Sequence, residues 1–208
     1  KKNPFTTGHS VSPITTRPKK DDPDERRVLV NLSWPLDGIS VNMFIDKSYY
    51  LGVSIHITLP TIDSMAFRVY TLGALAKMFK RDLKAAFRNN GVDPKDYHHL
   101  GITWRNMLYY NTALPMGMTS SMFIQQTISE AVASIVRKEC GYLEVYVDDF
   151  FGADLPEPAQ YTYNYLAWVL KEVGAPEAED KAEPPTSSIA ILGTGIDAAA
   201  QTLFIVPK

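Results

Sequence analysis

The chain has 208 residues, of which 45% are hydrophobic and 21% charged, an ordinary balance for a globular protein that buries a core of its own. It contains no apolar run of about 18 residues, the length a membrane span needs, and its single cysteine, Cys140, excludes an internal disulfide and any cysteine-based zinc cluster. The net charge of −2 is unevenly spread, with +3 in residues 1–35, +3 in 36–140 and −8 in 141–208. The first two thirds thus suit contact with phosphates, although a solvated surface is the plainer reading of the same asymmetry.

Residues 1–26 are rich in Pro, Thr and Lys and read as an extended arm or loop; Lys1–Ser10 lacks the apolar stretch of a signal peptide. Together with the lone cysteine this points to a reducing, intracellular setting, cytoplasm or nucleus. Arg27–Leu32 alternates with β-branched residues and predicts a strand. Pro35–Ser40 is a turn-rich connection. Ser64–Leu72 has apolar residues at helical spacing and a glycine stop at Gly73. Ala74–Leu83 predicts a strand ending at Asp82. His99–Trp104 and Met107–Thr112 flank Arg105-Asn106 as a hairpin. Thr119–Lys138 is helical in period, with Thr119, Ser120 or Ser121 as its cap. Tyr142–Val147 and Phe150–Ala153 form a second hairpin with Asp148-Asp149 at its tip, and Pro158–Val173 is an amphipathic helix stopped by Gly174. Ile189–Ile196 and Thr202–Val206 close the chain as strands around Asp197–Gln201. Repeated hairpins interleaved with helices predict an α+β class, an antiparallel sheet backed by helices.

Asp82 and the pair Asp148-Asp149 end separate predicted strands. If those strands are neighbours, three carboxylates converge at one sheet edge. Two unit charges about 4 Å apart repel by roughly 4 kcal/mol at an effective dielectric of about 20, a cost that hard divalent cations with oxygen ligands remove. Adjacent strand residues face opposite ways, so Asp82 and Asp148 are expected to bridge the ions and Asp149 to act more weakly. An isolated Asp-Asp is usually an exposed turn; it gains meaning from Tyr146-Val147 before it and from the Leu114–Ser121 segment upstream.

In company these segments resemble a reverse transcriptase. Asp82-Leu83-Lys84-Ala85-Ala86-Phe87 resembles the family's first catalytic motif. Leu114-Pro115-Met116-Gly117 through Ser121, with Phe123 and Gln125, resembles the turn and helix that support template and nucleotide. Tyr146-Val147-Asp148-Asp149 is similar to the YxDD box. Gly174–Lys181 resembles the lysine motif that follows it, and Leu192-Gly193 with Ile196-Asp197 the primer-contacting hairpin. Upstream, Lys19, Lys20, Arg27, Asn31–Pro35 and Ser40–Asn42 resemble the fingers, in wording nearest to DIRS-type and long-terminal-repeat retroelements.

The resemblance implies fingers and palm of a right-hand polymerase, with fingers in 1–75, palm in 76–208, a fingers insertion near 88–115 and no thumb. It implies a metal-dependent RNA-directed DNA polymerase using two Mg²⁺ (or Mn²⁺) ions, with an RNA or DNA template, a primer strand and dNTPs as partners and no membrane. The metal ligands would be Asp82, Leu83 through its carbonyl, Asp148 and Asp149, with Lys181 as the acid for pyrophosphate. Lys19 or Lys20, Arg27, Lys84, Ala85, Ala86, Phe87, Met116 and Gly117 would meet the nucleotide, Phe87 as the gate against a ribose 2′-hydroxyl. Pro115, Thr119, Gln125, Tyr146, Leu192 and Gly193 would meet template or primer. Against this stand an RNA polymerase or nucleotide cyclase, which Phe87 and the Tyr146–Asp149 segment oppose, and a repurposed nucleic-acid-binding module, which the three intact aspartates oppose.

Overall fold

The computed structural model describes residues 8–18, 24–50 and 52–206. In chain order it contains strands β1 (Ile14–Pro18), β2 (Arg26–Val30), β3 (Tyr49–Tyr50) and β4 (Val53–Ser54), helix α1 (Ile62–Leu72), and strands β5 (Lys77–Asp82), β6 (Gly101–Trp104) and β7 (Met107–Tyr110). Helix α2 (Ser121–Cys140) follows, then β8 (Glu144–Tyr146), β9 (Asp149–Asp154), helix α3 (Pro156–Glu172), β10 (Glu183–Thr186), β11 (Ser188–Ile191), β12 (Thr194–Asp197) and β13 (Thr202–Ile205). Two compact units result, Lys1–His56 with Phe87–Ile124, and Ile57–Ala86 with Gln125–Lys208.

The first unit is built from hairpins. β1 pairs antiparallel with β2, from Ile14↔Val30 to Pro18↔Arg26. The extended arm or loop expected over 1–26 thus includes a strand, because Ile14-Thr15-Thr16 is a β-branched run that pays little to extend. β6 and β7 turn through Arg105 (φ 49°) and Asn106 (φ 62°), two left-handed residues as a tight primed turn requires. Val30, Leu32 and Leu100 form this unit's core, joined by Ile14, Val41, Val92, Ile102 and Met118.

The second unit centres on a four-stranded sheet in the order β10-β5-β9-β8, antiparallel throughout. Both faces are apolar, since side chains alternate along β5 and β9. Phe79 and Phe150 point to one face and pack with Val132, Ala133 and Val136 of α2 and Leu166, Val169 and Leu170 of α3. Met78, Phe151 and Ala153 point to the other, covered by Met65 and Val69 of α1 and by Ile189, Ile191 and Ile196. Gly152 leaves room for the Phe79 ring, whose Cζ would lie 2.6 Å from an added Cβ. Helix α1 stops where its periodicity does: Gly73 takes φ 77° and donates to Val69 O at 3.0 Å.

The end of the chain departs from expectation. Ile189–Ile196 is not one strand but a hairpin, folded at Leu192 (φ 49°) and Gly193 (φ 80°) and extended by β13 into a three-stranded meander. The apolar residues Ile189, Ile191 and Ile196 still share a core, which is why the run read as continuous. Pro184 and Pro185 fall within β10, an outer strand of the sheet, at an irregularity between Glu183↔Lys80 and Thr186↔Met78. A residue without an N–H is tolerated at such an edge.

Candidate active site

The second unit gathers the acidic residues. The β5–β9 register runs from Lys77↔Asp154 to Asp82↔Asp149, so Asp82 and Asp149 stand directly opposite each other. Both share the sheet face of Met78, Phe151 and Ala153. Opposed residues of an antiparallel pair bring their Cβ atoms to about 5 Å, close enough for their charges to couple. Asp148 lies outside that ladder: β8 and β9 pair through Tyr146↔Asp149, leaving Val147-Asp148 as the two corner residues. The expected three-carboxylate convergence is thus a cross-strand pair with a third acid on the adjoining corner. Among the described residues no three His, Cys, Asp or Glu side chains form a ready ligand cluster.

The corner is held from below. Val147 has φ 56°, a costly conformation for a β-branched residue, worth about 1–3 kcal/mol. Three buried side chains of α2 support it. Gln126 Oε1 accepts from Val147 N at 2.6 Å, Gln126 Nε2 donates to Val145 O at 3.0 Å, and Ser129 Oγ donates to Val147 O at 2.6 Å. Gln125 Nε2 in turn donates to Ser129 Oγ at 2.9 Å. Gln125 is 1% exposed, so its expected place at template or primer is corrected: it lies beneath the turn. Gln126 and Ser129 escaped the sequence reading, although i, i+3 and i+4 polar residues on an otherwise apolar helix face are the available signal. Ser129→Ala leaves the buried Val147 carbonyl unsatisfied and should cost about 1–3 kcal/mol in urea-unfolding free energy, with slower turnover in step.

Lys181 arrives by backbone pairing. Asp82 O accepts from Ala178 N at 2.8 Å and Lys84 N donates to Pro176 O at 2.8 Å, which lays the segment after α3 along the end of β5. A short 3-10 turn, Glu179–Lys181, then aims the ammonium back, and Lys181 Nζ donates to Asp82 Oδ2 at 2.6 Å. That bond holds the Lys181 pKa above its ordinary value, with the charges of Asp82, Asp148 and Asp149 adding to it and burial opposing. Asp149 is pushed up to about 6, first by burial, then by the charges of Asp82 and Asp148, with Lys80 and Lys181 opposing. Lys80 shares this face and pairs with Glu183 at 2.7 Å. On the opposite face Arg81 ion-pairs with Glu177, donates to Tyr163 O at 2.9 Å and lies 3.6 Å over the Tyr163 ring.

The amides after Asp82 are partly spoken for. Leu83 N donates to Asp148 O at 3.0 Å and Lys84 N to Pro176 O at 2.8 Å, so both amides are satisfied within the protein. The Leu83 side chain is core, which leaves its carbonyl as the only oxygen it can offer. Lys84 and Ala85 are exposed, Ala85 at φ 53°; Ala86 is buried. Tyr146 is half-buried against the α1 face of the sheet, and Leu192-Gly193 is the corner of the β11–β12 hairpin.

In the first unit, Asn42 organises the Pro115–Thr119 turn. Its Nδ2 donates to Gly117 O and to Ser33 Oγ, each at 2.9 Å, and its Oδ1 accepts from Thr119 N at 2.9 Å. Gly117 has φ 104° and an added Cβ would lie 2.7 Å from Val30 O, so only glycine fits. The Thr119 amide is therefore satisfied within the protein, and α2 starts two residues later than predicted; Ser121 Oγ donates to Pro115 O at 2.9 Å. Met116 is exposed and Phe87 half-buried. Arg27 is exposed on β2, directly opposite Arg17, a second cation the sequence reading missed. Lys19 and Lys20 lie outside the described residues.

The donor set of the second unit suits a hard divalent cation. Asp82 and Asp149 stand opposite each other with oxygen-only side chains, and Asp148 follows on the adjoining corner. Among the described residues no helix is long and apolar enough to cross a membrane.

No protein-family model matches the sequence, and no curated protein matches it. Solved structures do. A foamy viral protease-reverse transcriptase in complex with dsDNA shares 18% identity at TM-score 0.69, over 97% of this chain and 37% of that one. The dRH form of the foamy viral enzyme with ds DNA gives TM-score 0.69 at 17% identity, over 93% of this chain and 30% of that one. The foamy viral enzyme in complex with RNA/DNA hybrid gives 0.62 at 18%, over 92% and 24%. The chain thus spans between 24% and 37% of the length of these relatives. With antiparallel sheets, helices and hairpins in this order, the chain has a reverse transcriptase-like fold.

Proposed function

We propose that the chain is the fingers and palm of a retroelement reverse transcriptase, of the DIRS or long-terminal-repeat kind, that extends a primer with deoxynucleotides inside the cell. The observation that carries this reading is the Asp82↔Asp149 register pair with Lys181 on Asp82, set in a reverse transcriptase-like fold. The fingers would be residues 1–75 with the insertion near 88–115, and the palm the rest of 76–208.

Asp82, Asp148, Asp149 and the Leu83 carbonyl would hold two Mg²⁺ or Mn²⁺ ions, which when bound lower the cost of charge on the attacking and leaving oxygens. Lys181 carries the proton for departing pyrophosphate, a role suited to an ammonium already held beside a carboxylate. Arg27 and Arg17 offer guanidinium groups to phosphate, with Lys19 or Lys20 as further cations. Lys84, Ala85 and Ala86 follow Asp82 at the nucleotide, with Met116 and Gly117. Pro115, Thr119, Tyr146 and the Leu192-Gly193 corner serve template and primer. The rest of the selectivity falls to Phe87: Phe87→Val should raise ribonucleotide incorporation by about 10–200-fold, the worth of a steric contact of that size, measured by competing rNTP and dNTP in single-nucleotide extension.

The foamy viral enzymes are described in complex with dsDNA and RNA/DNA hybrid, and a primed template is the matching partner here. The direct test supplies the chain, fused to a thumb segment, with a primed RNA template, dNTPs and Mg²⁺ or Mn²⁺. Extension is expected. A folded protein that binds primed template and never extends it is instead the repurposed binding module.

A further inference from the structure

Helix α3 buries one face against the palm sheet and exposes another of unusual make-up. Tyr161, Tyr165 and Trp168 fall at i, i+4 and i+7, one stripe of an α-helix. The Tyr161 and Tyr165 rings stack at 6.0 Å with 9° between planes, and Trp168 continues the ladder 5.4 Å from Tyr165. Tyr161 and Trp168 are each more than half exposed. The same helical spacing puts Glu157 one turn before Tyr161 and Glu172 one turn after Trp168, both exposed. Glu139, at the end of α2, acts on the Tyr161 hydroxyl as a third carboxylate. Two exposed aromatic rings, Tyr161 and Trp168, joined through Tyr165, which packs against the core, are bracketed by acids on the part of the chain whose net charge is −8.

The chemistry of that stripe selects its ligand. Nucleic acid would stack on the rings, but phosphates are repelled by Glu139, Glu157 and Glu172. A guanidinium satisfies both components at once, lying over an aromatic face while pairing with a carboxylate. The same combination is built inside this unit, where Arg81 lies 3.6 Å over Tyr163 and pairs with Glu177. We propose that the outer face of α3 is a docking strip for an arginine-bearing peptide segment of a partner protein, with arginine side chains laid over the exposed Tyr161 and Trp168 rings and clamped by the flanking glutamates. The site is separate from the carboxylate pair and stands whether or not the chain extends primers.

The probe is a fluorescein-labelled oligo-arginine peptide titrated into the chain at low ionic strength, read by anisotropy and by quenching of Trp168 in a Trp34→Phe, Trp104→Phe background. Arginine peptide should quench Trp168 and bind several-fold tighter than an oligo-lysine peptide of equal length, since guanidinium stacks where ammonium does not. Tyr161→Leu with Trp168→Leu should weaken binding about tenfold, two cation–π contacts at exposed sites. Glu157→Gln with Glu172→Gln, which keeps the ladder, should weaken it and flatten its salt dependence. Equal binding of arginine and lysine peptides, unaltered binding by the folded ladder variant, or binding lost only on replacing the Asp82–Asp149 pair overturns the proposal. So does concentration-dependent self-association that the ladder variant abolishes, since the occupant is then a second copy.

Discussion

Asp149→Asn should make the protein more stable and less active. Its carboxyl is held at about 6 in the folded chain, against an ordinary 3.8, chiefly by burial and next by Asp82 and Asp148. Between those values the folded chain binds more protons than the unfolded one, so stability falls as pH rises. The penalty is complete above about pH 6 and absent below about pH 4. Because the group is only half-buried, solvent screening reduces its worth to about 1–2 kcal/mol. Thermal melts should then place Asp149→Asn about 2–8 °C above wild type at neutral pH and level with it at pH 4. Mg²⁺ should raise the melting temperature of wild type and leave the variant nearly unmoved. Activity should move the other way. Asp82→Asn and Asp148→Asn should each reduce primer extension by at least about a hundredfold to a thousandfold, the scale of one lost preorganised electrostatic group. A variant that extends primers at the wild-type rate, with folding verified, removes its carboxylate from the reaction.

The largest loss of stability is expected at Glu177, the counter-charge of the buried Arg81. Arg81 is 8% exposed and its guanidinium is enclosed by Glu177, the Tyr163 carbonyl and the Tyr163 ring. Glu177→Ala leaves that cation buried without its counter-charge, at about 3–5 kcal/mol, which corresponds to a melting temperature lower by about 6–20 °C. Joint replacement, Arg81→Leu with Glu177→Leu, should recover most of the loss, because the charge that needed a partner is gone. If the double variant is as unstable as the single one, the pair is held for packing rather than charge. Glu177 also sits in the segment that brings Lys181 to Asp82, so Glu177→Ala should slow extension as well as loosen the fold.

The legible parts of this fold were the periodic ones. The strand read over Ala74–Leu83 and the hairpin strand read over Phe150–Ala153 correspond to the two central strands β5 and β9, and the glycines at 73 and 174 marked where helices stop. Arg105-Asn106 announced a tight hairpin by composition. The pairing of β5 with β9 was expected only conditionally, since strand order is set by contacts far apart in sequence; it is the register that puts Asp149, rather than Asp148, opposite Asp82. The same limit hid the supports of the site. Gln126 and Ser129 look like surface residues of an amphipathic helix until β8 lays unsatisfied backbone over them. Arg17 looked like part of a flexible arm until β1 placed it across from Arg27. By residue pattern Ile189–Ile196 read as one strand because isoleucines on both sides share one core, whereas the family resemblance put Leu192-Gly193 in a hairpin, as β11 and β12 have it.

The two prolines of β10 have a bearing on how the protein survives its own folding. The four-stranded sheet ends in open strands, and an open strand invites recruitment by another chain. At this border the backbone offers oxygens at Pro184 and Pro185 but no hydrogens to match, beside a break in register. The opposite border, β8, is three residues long. Neither margin of this four-stranded sheet presents a long template on which a neighbouring polypeptide can zip.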